Sequence, residues 1–137
     1  MKTQLIFFDS IEESRKGTLR GLVAIAVLII LDLLWFQIMD YSPIITKKFN
    51  FISAFITYVL LCSAIGVQQP NSVEEAIVYG ALVGFVIYGV FNGTNYSTNK
   101  NWTVKIALLD TMWGMFVMSA AATVVYFIFH KDKKYNL

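Results

Sequence analysis

Charge is scarce in this sequence. Asp, Glu, Lys and Arg make up 15% of its 137 residues, where a soluble domain carries roughly a quarter. A protein that must cover its surface with charge is therefore excluded. The net charge of +2 is too small for gripping a phosphate backbone, so nucleic acid is not expected as a partner. Cys62 and His130 are the single cysteine and histidine. No internal disulfide can close, and no zinc-ligand spacing exists. A Ser/His pairing, a phosphate-cradling glycine loop and a nucleotide fingerprint are also missing. These absences argue against an enzyme, a resident metal or a cofactor. The length leaves no room for a soluble catalytic domain beside a membrane bundle.

What is present is apolar: 57% hydrophobic residues and a mean hydropathy of +0.61. About 20 apolar residues cross the hydrocarbon core of a bilayer. The chain contains four such runs, at 17–39, 49–67, 73–91 and 102–129. The expected fold is an all-α integral membrane four-helix bundle in the lipid bilayer of a cellular or viral membrane. Residues 1–16 read as an N-terminal interfacial segment, with a helix expected to start near Ile11 because Ser10 and Glu13 have capping-box spacing. Residues 130–137 read as a basic tail. Asp40-Tyr41-Ser42-Pro43 should break the first span and start the second, with Lys47 and Lys48 reaching the interface. Ser72 and Glu75 repeat the capping-box spacing before the third span, and the polar run at 92–101 reads as the turn before the fourth.

Lys and Arg fall unevenly about these spans. Seven (Lys2, Arg15, Lys16, Arg20, Lys131, Lys133 and Lys134) lie on one side, and four (Lys47, Lys48, Lys100 and Lys105) on the other. The positive-inside rule then puts both termini in the cytoplasm. In this topology Asp32, near the end of the first span, and Asp110, near the start of the fourth, each lie about 10 Å below the same boundary at 1.5 Å per residue.

Ionisable side chains inside apolar helices are costly in lipid and face a partner, a polar interior or a pathway. Tyr58, Tyr88, Asn92 and Asn95 complete a polar cluster at the same end. Two facing carboxyls in a low dielectric are expected to share a proton. Trp35 and Trp113 each follow an Asp by three residues, in Leu31-Asp32-Leu33-Leu34-Trp35 and Leu109-Asp110-Thr111-Met112-Trp113, and are expected to pack beside it. Gly80 and Gly84 form a small face that lets a neighbouring helix approach closely.

Those two Leu-Asp-x-x-Trp elements, Gly80-Ala81-Leu82-Val83-Gly84, Tyr88, Phe91-Asn92-Gly93-Thr94-Asn95, Trp102 and Asp110-Thr111-Met112-Trp113-Gly114 together resemble the domain-of-unknown-function 2177 family of small membrane proteins. The resemblance implies four spans in one bundle and no particular activity. It also marks one departure: the family pattern usually has an Asp where this chain has Asn92, which removes an acid from the cluster.

Besides an intramembrane enzyme acting on a lipid, which has the least support, two functions follow from the residues, the first favoured over the second. One is a small transporter or channel subunit using the acids as a proton or cation site, as a homo-oligomer because four helices enclose little room. The other is a structural or assembly protein in which the Asp residues act as interhelical hydrogen-bonding glue.

Overall fold

The computed structural model describes residues 2–39 and 50–130, with side chains from Ser10 onward. Residues 40–49 and the basic tail at 131–137 lie outside the described residues, and with them the expected break at Ser42-Pro43 and the interfacial Lys47 and Lys48. Four helices make up the described fold: α1 (Lys2–Ile38), α2 (Phe51–Gly66), α3 (Val73–Thr98) and α4 (Val104–His130). Three of them, over Ser10–Ile38, Val73–Thr98 and Val104–His130, are long and apolar enough to cross a membrane. The fourth, α2, has 16 residues, roughly 24 Å at 1.5 Å per residue, short of the roughly 30 Å hydrocarbon core.

Local chemistry sets the helix ends. Asn50 caps α2, its side chain accepting from the Ser53 N–H at 3.0 Å. Ser72 caps α3 through the Glu75 N–H at 3.2 Å, while the Glu75 carboxylate takes the Asn71 N–H at 2.8 Å. Each contact satisfies a donor that the first helical turn leaves open. Thr103 does the same for α4 through Ile106 N–H at 3.2 Å.

Two boundaries differ from the sequence reading. α1 is already helical from Lys2, so Ser10 lies within the helix and not at its start. The expected turn at 92–101 is helical through Thr98. The reason lies in its polar side chains: Asn95, Ser97 and Thr98 bond back to the carbonyls of Phe91, Gly93 and Thr94 at 2.7–2.9 Å. Side-chain to i−4 carbonyl bonds let polar residues continue a helix that their composition would end. The true connection is 99–103, closed by the Trp102 N–H on the Asn99 carbonyl at 3.0 Å.

The helices run antiparallel in sequence order and pack in the spatial order α2, α1, α4, α3, with the most extensive contact between α3 and α4. Small residues make these contacts close. A Cβ on Gly80 would come 2.5 Å from the Met118 carbonyl oxygen, and one on Gly84 would overlap the Gly114 carbonyl. At the α1–α2 contact a Cβ on Gly66 would come 2.9 Å from the Gly17 carbonyl oxygen. Such approaches stabilise helix pairs in lipid, where apolar burial adds little. The core between helices is narrow, centred on Ala24, Leu28, Ile65, Ala76, Val117 and Met118. Outside it the surface is apolar: Phe51 is 80% exposed and Ile38 72%. In water that surface would be an aggregation liability, whereas in lipid it is the solvated face.

Glu13 accepts from Gln69 at 2.7 Å, and Tyr126 donates to the Asn71 carbonyl at 3.4 Å. The early part of α1, the α2–α3 connection and the end of α4 therefore share one end of the bundle. The polar cluster lies toward the other.

Candidate functional site

Asp32 on α1 and Asp110 on α4 are buried to 9% and 8% exposure, and Asn92 on α3 to 1%. Asp32 Oδ1 accepts from the Trp113 indole N–H at 3.2 Å, and Asp32 Oδ2 from the Tyr58 hydroxyl at 2.8 Å. Asp110 Oδ1 accepts from the Trp35 indole N–H at 3.2 Å, and Asp110 Oδ2 from the Asn92 amide at 2.8 Å. The pairing is crossed: each tryptophan donates to the aspartate of the other helix. The two indoles lie face to face between the acids, ring centroids 4.6 Å apart and 7° from parallel.

This crossing follows from the repeated motif. In each copy Trp follows Asp by three residues, nearly one turn, so both lie on the same helix face about 4.5 Å apart along the axis. Set two copies side by side in opposite directions and the Trp of one stands level with the Asp of the other. The acids are therefore not at the equal depth read from the sequence: the Asp-to-Trp alignment sets them about 4.5 Å apart along the axis. Each carboxyl thus meets an indole of the facing helix, where the sequence reading set the two carboxyls against each other.

Asn92 extends the network to a third tryptophan. Its Oδ1 accepts from the Trp102 indole N–H at 3.1 Å, while its Nδ2 reaches both Asp110 and the Tyr88 carbonyl at 2.8 Å. An indole nitrogen can only donate, so Trp102 fixes which end of the amide faces Asp110. Trp102 is itself buried, edge-on to Phe91 with centroids 5.7 Å apart. All three tryptophans of the chain thereby serve the cluster.

The donors differ in what they allow. Trp35 and Asn92 meet Asp110 through groups that can only donate, so neither can take a proton from it. Tyr58 meets Asp32 through a hydroxyl that can also accept, so a proton on Asp32 Oδ2 can be received by turning that hydroxyl.

Of the residues the sequence singles out, Asp32, Asp110, Tyr58 and Asn92 come together, with Trp35 and Trp113 as donors as well as packing groups. Tyr88 joins by its backbone carbonyl, and its ring lies against Gly114, where a Cβ would overlap it. Asn95 stands apart, half-buried, with its amide on the Phe91 carbonyl of its own helix at 2.9 Å. Trp102 is the member of the cluster that sequence reasoning misses. Its signal is an aromatic residue inside a polar stretch of the chain, just ahead of the helix that carries Asp110. Among the described residues no three His, Cys, Asp or Glu side chains gather to hold a metal ion.

A family profile described as predicted membrane protein, domain of unknown function 2177, matches residues 19–127. The matched segment begins just before the α1 core and ends near the close of α4, so it contains the whole cluster. Comparisons with curated proteins and with solved structures gave no match.

Proposed function

We propose, for a chain that belongs to this family of predicted membrane proteins, a structural role: a small multi-pass protein that builds or holds a membrane assembly, with the acidic cluster as its internal clasp and no reaction of its own. The observation that carries this reading is the crossed Asp–Trp bonding. Four donors from four different side chains meet the four oxygens of two carboxyls, and they tie α1, α2, α3 and α4 together. An intramembrane polar network in which the carboxyl oxygens are all engaged stabilises and orients helices, since the alternative is an unsatisfied group in hydrocarbon. Both termini are assigned to the cytoplasmic side on the Lys and Arg distribution.

A proton- or cation-linked transporter subunit is the second reading. It is favoured by two acids within apolar helices and by the Tyr58 hydroxyl, which can exchange donor for acceptor at Asp32. Reconstitution into liposomes holding a pH-sensitive dye, alongside detergent unfolding of the same samples, separates the two. The structural role predicts dye responses equal to protein-free vesicles and a lower unfolding midpoint for Asp110→Asn. A proton leak that Asp110→Asn abolishes at unchanged stability would overturn it.

A further inference from the structure

At the end of the bundle opposite the acidic cluster, a groove of about 780 Å³ runs between α1 and α2. Its floor is made by missing side chains: Gly17, Gly21 and Gly66 line it, so the helices touch by backbone and leave a trough beside the contact. The lining changes along its length. Ser10, Glu13 and Gln69 form one end, while Leu22, Ile25 and Val59 form the other.

Helical side chains lean toward the helix N-terminus, and Arg20 accordingly reaches back two turns to Glu13 at 3.1 Å. The Arg20 side chain is 15% exposed in that position. The change from polar to apolar falls where charge stops on α1, since residues 21–31 carry no ionisable group. Between Ser10 and Ile25 the groove follows α1 for about 22 Å. It therefore straddles the headgroup layer and part of one leaflet, whose hydrocarbon is about 15 Å deep.

We infer that this groove is a binding site for a single zwitterionic phospholipid carrying a primary amine, with its phosphate on Arg20, its ammonium on Glu13 and an acyl chain along Gly21, Ile25 and Val59. Charge complementarity selects this occupant. The polar end presents one cation and one carboxylate held 3.1 Å apart, which matches a headgroup holding both signs. An anionic headgroup with no amine would satisfy Arg20 and leave its negative charge beside Glu13. Guanidinium groups bind phosphate oxygens in a paired geometry, and the ammonium supplies three donors for the carboxylate that Gln69 already supports at 2.7 Å. A glycine floor admits a methylene chain close to the backbone.

The test uses the full chain in mild detergent, titrated with dioleoyl phosphatidylethanolamine or dioleoyl phosphatidylglycerol and read by native mass spectrometry. The expected result is a one-to-one phosphatidylethanolamine adduct, retained roughly tenfold more tightly than phosphatidylglycerol, the ratio expected for one charge-assisted bond. Glu13→Gln should erase that preference. Gly21→Leu should remove the adduct by filling the floor. Ser63→Leu, at an exposed lining position, should do the same at unchanged helicity, and it decides the matter if Gly21→Leu fails to fold. Equal retention of the two lipids, or an adduct that survives Ser63→Leu, would overturn the assignment.

Discussion

Replacing Trp113 with phenylalanine keeps an aromatic ring against Trp35 and removes the N–H that Asp32 Oδ1 receives at 3.2 Å. A hydrogen bond to a charged group contributes about 1.5–3 kcal/mol in water-soluble proteins. Interhelical bonds in membranes average about 0.6 and reach about 1.7 kcal/mol, because helices separated in lipid also find partners. Asp32 is nine-tenths buried, which places this bond toward the upper part of that range. A coupling of about 1–1.5 kcal/mol is expected between Asp32→Ala and Trp113→Phe, and the same between Asp110→Ala and Trp35→Phe.

The control is built into the sequence. Asp32 and Trp35 share a helix and belong to different bonds, so their cycle should give a smaller coupling than either cycle across the helices. Unfolding by dodecyl sulfate in mixed micelles, followed by helical circular dichroism, gives each corner of the cycles. Coupling concentrated in the same-helix pair, with none across α1 and α4, would refute the crossed arrangement.

Gly80→Leu drives side-chain atoms into the Met118 and Ser119 backbone, which no rotamer change relieves. The α3–α4 pair should lose about 3 kcal/mol or separate, and an unchanged unfolding midpoint in micelles would contradict the close contact. Asn92→Asp exchanges a donor for an acceptor 2.8 Å from Asp110. It should cost about 1–3 kcal/mol in the same assay, whereas stability equal to wild type would show that the amide is not spent on that carboxyl. Gln68 Oε1 is buried without a partner among the described residues. Gln68→Met removes an acceptor whose desolvation is uncompensated, so the melting temperature should hold or rise despite the lost Nε2 bond to the Ala64 carbonyl at 2.8 Å.

Much of this architecture is written in local pattern. Apolar runs locate the helices, because lipid tolerates little else. Ser72 and Glu75 announce the start of α3, because a capping side chain acts within one turn. Gly80 and Gly84 mark a close face because their spacing alone brings them to one side of a helix. The helical stretch beyond Asn92 is hidden because Asn, Ser and Thr stop helices or ride on them, depending on whether their side chains turn back to the i−4 carbonyl. Gly17, Gly21 and Gly66 do not announce themselves, since only docking of α1 against α2 shows which glycines meet a neighbour. The partners of the acids are hidden for a related reason. Depth read from the sequence aligns Asp32 with Asp110, but the finer offset of three residues decides who touches whom. Once the antiparallel course of α1 and α4 is known, the two Leu-Asp-x-x-Trp elements dictate the crossing.

That crossing is the claim on which the clasp rests, and it can be seen directly. Solid-state NMR of the protein in lipid, with indole nitrogens labelled ¹⁵N and aspartate carboxyls ¹³C, reports through-space transfer between Nε1 and Cγ. Single Trp→Phe variants assign the signals. Strong transfer should link Trp113 to Asp32 and Trp35 to Asp110, as the bonds of 3.2 Å require. Transfer from Trp35 to Asp32 and from Trp113 to Asp110, with none between the helices, would contradict the account.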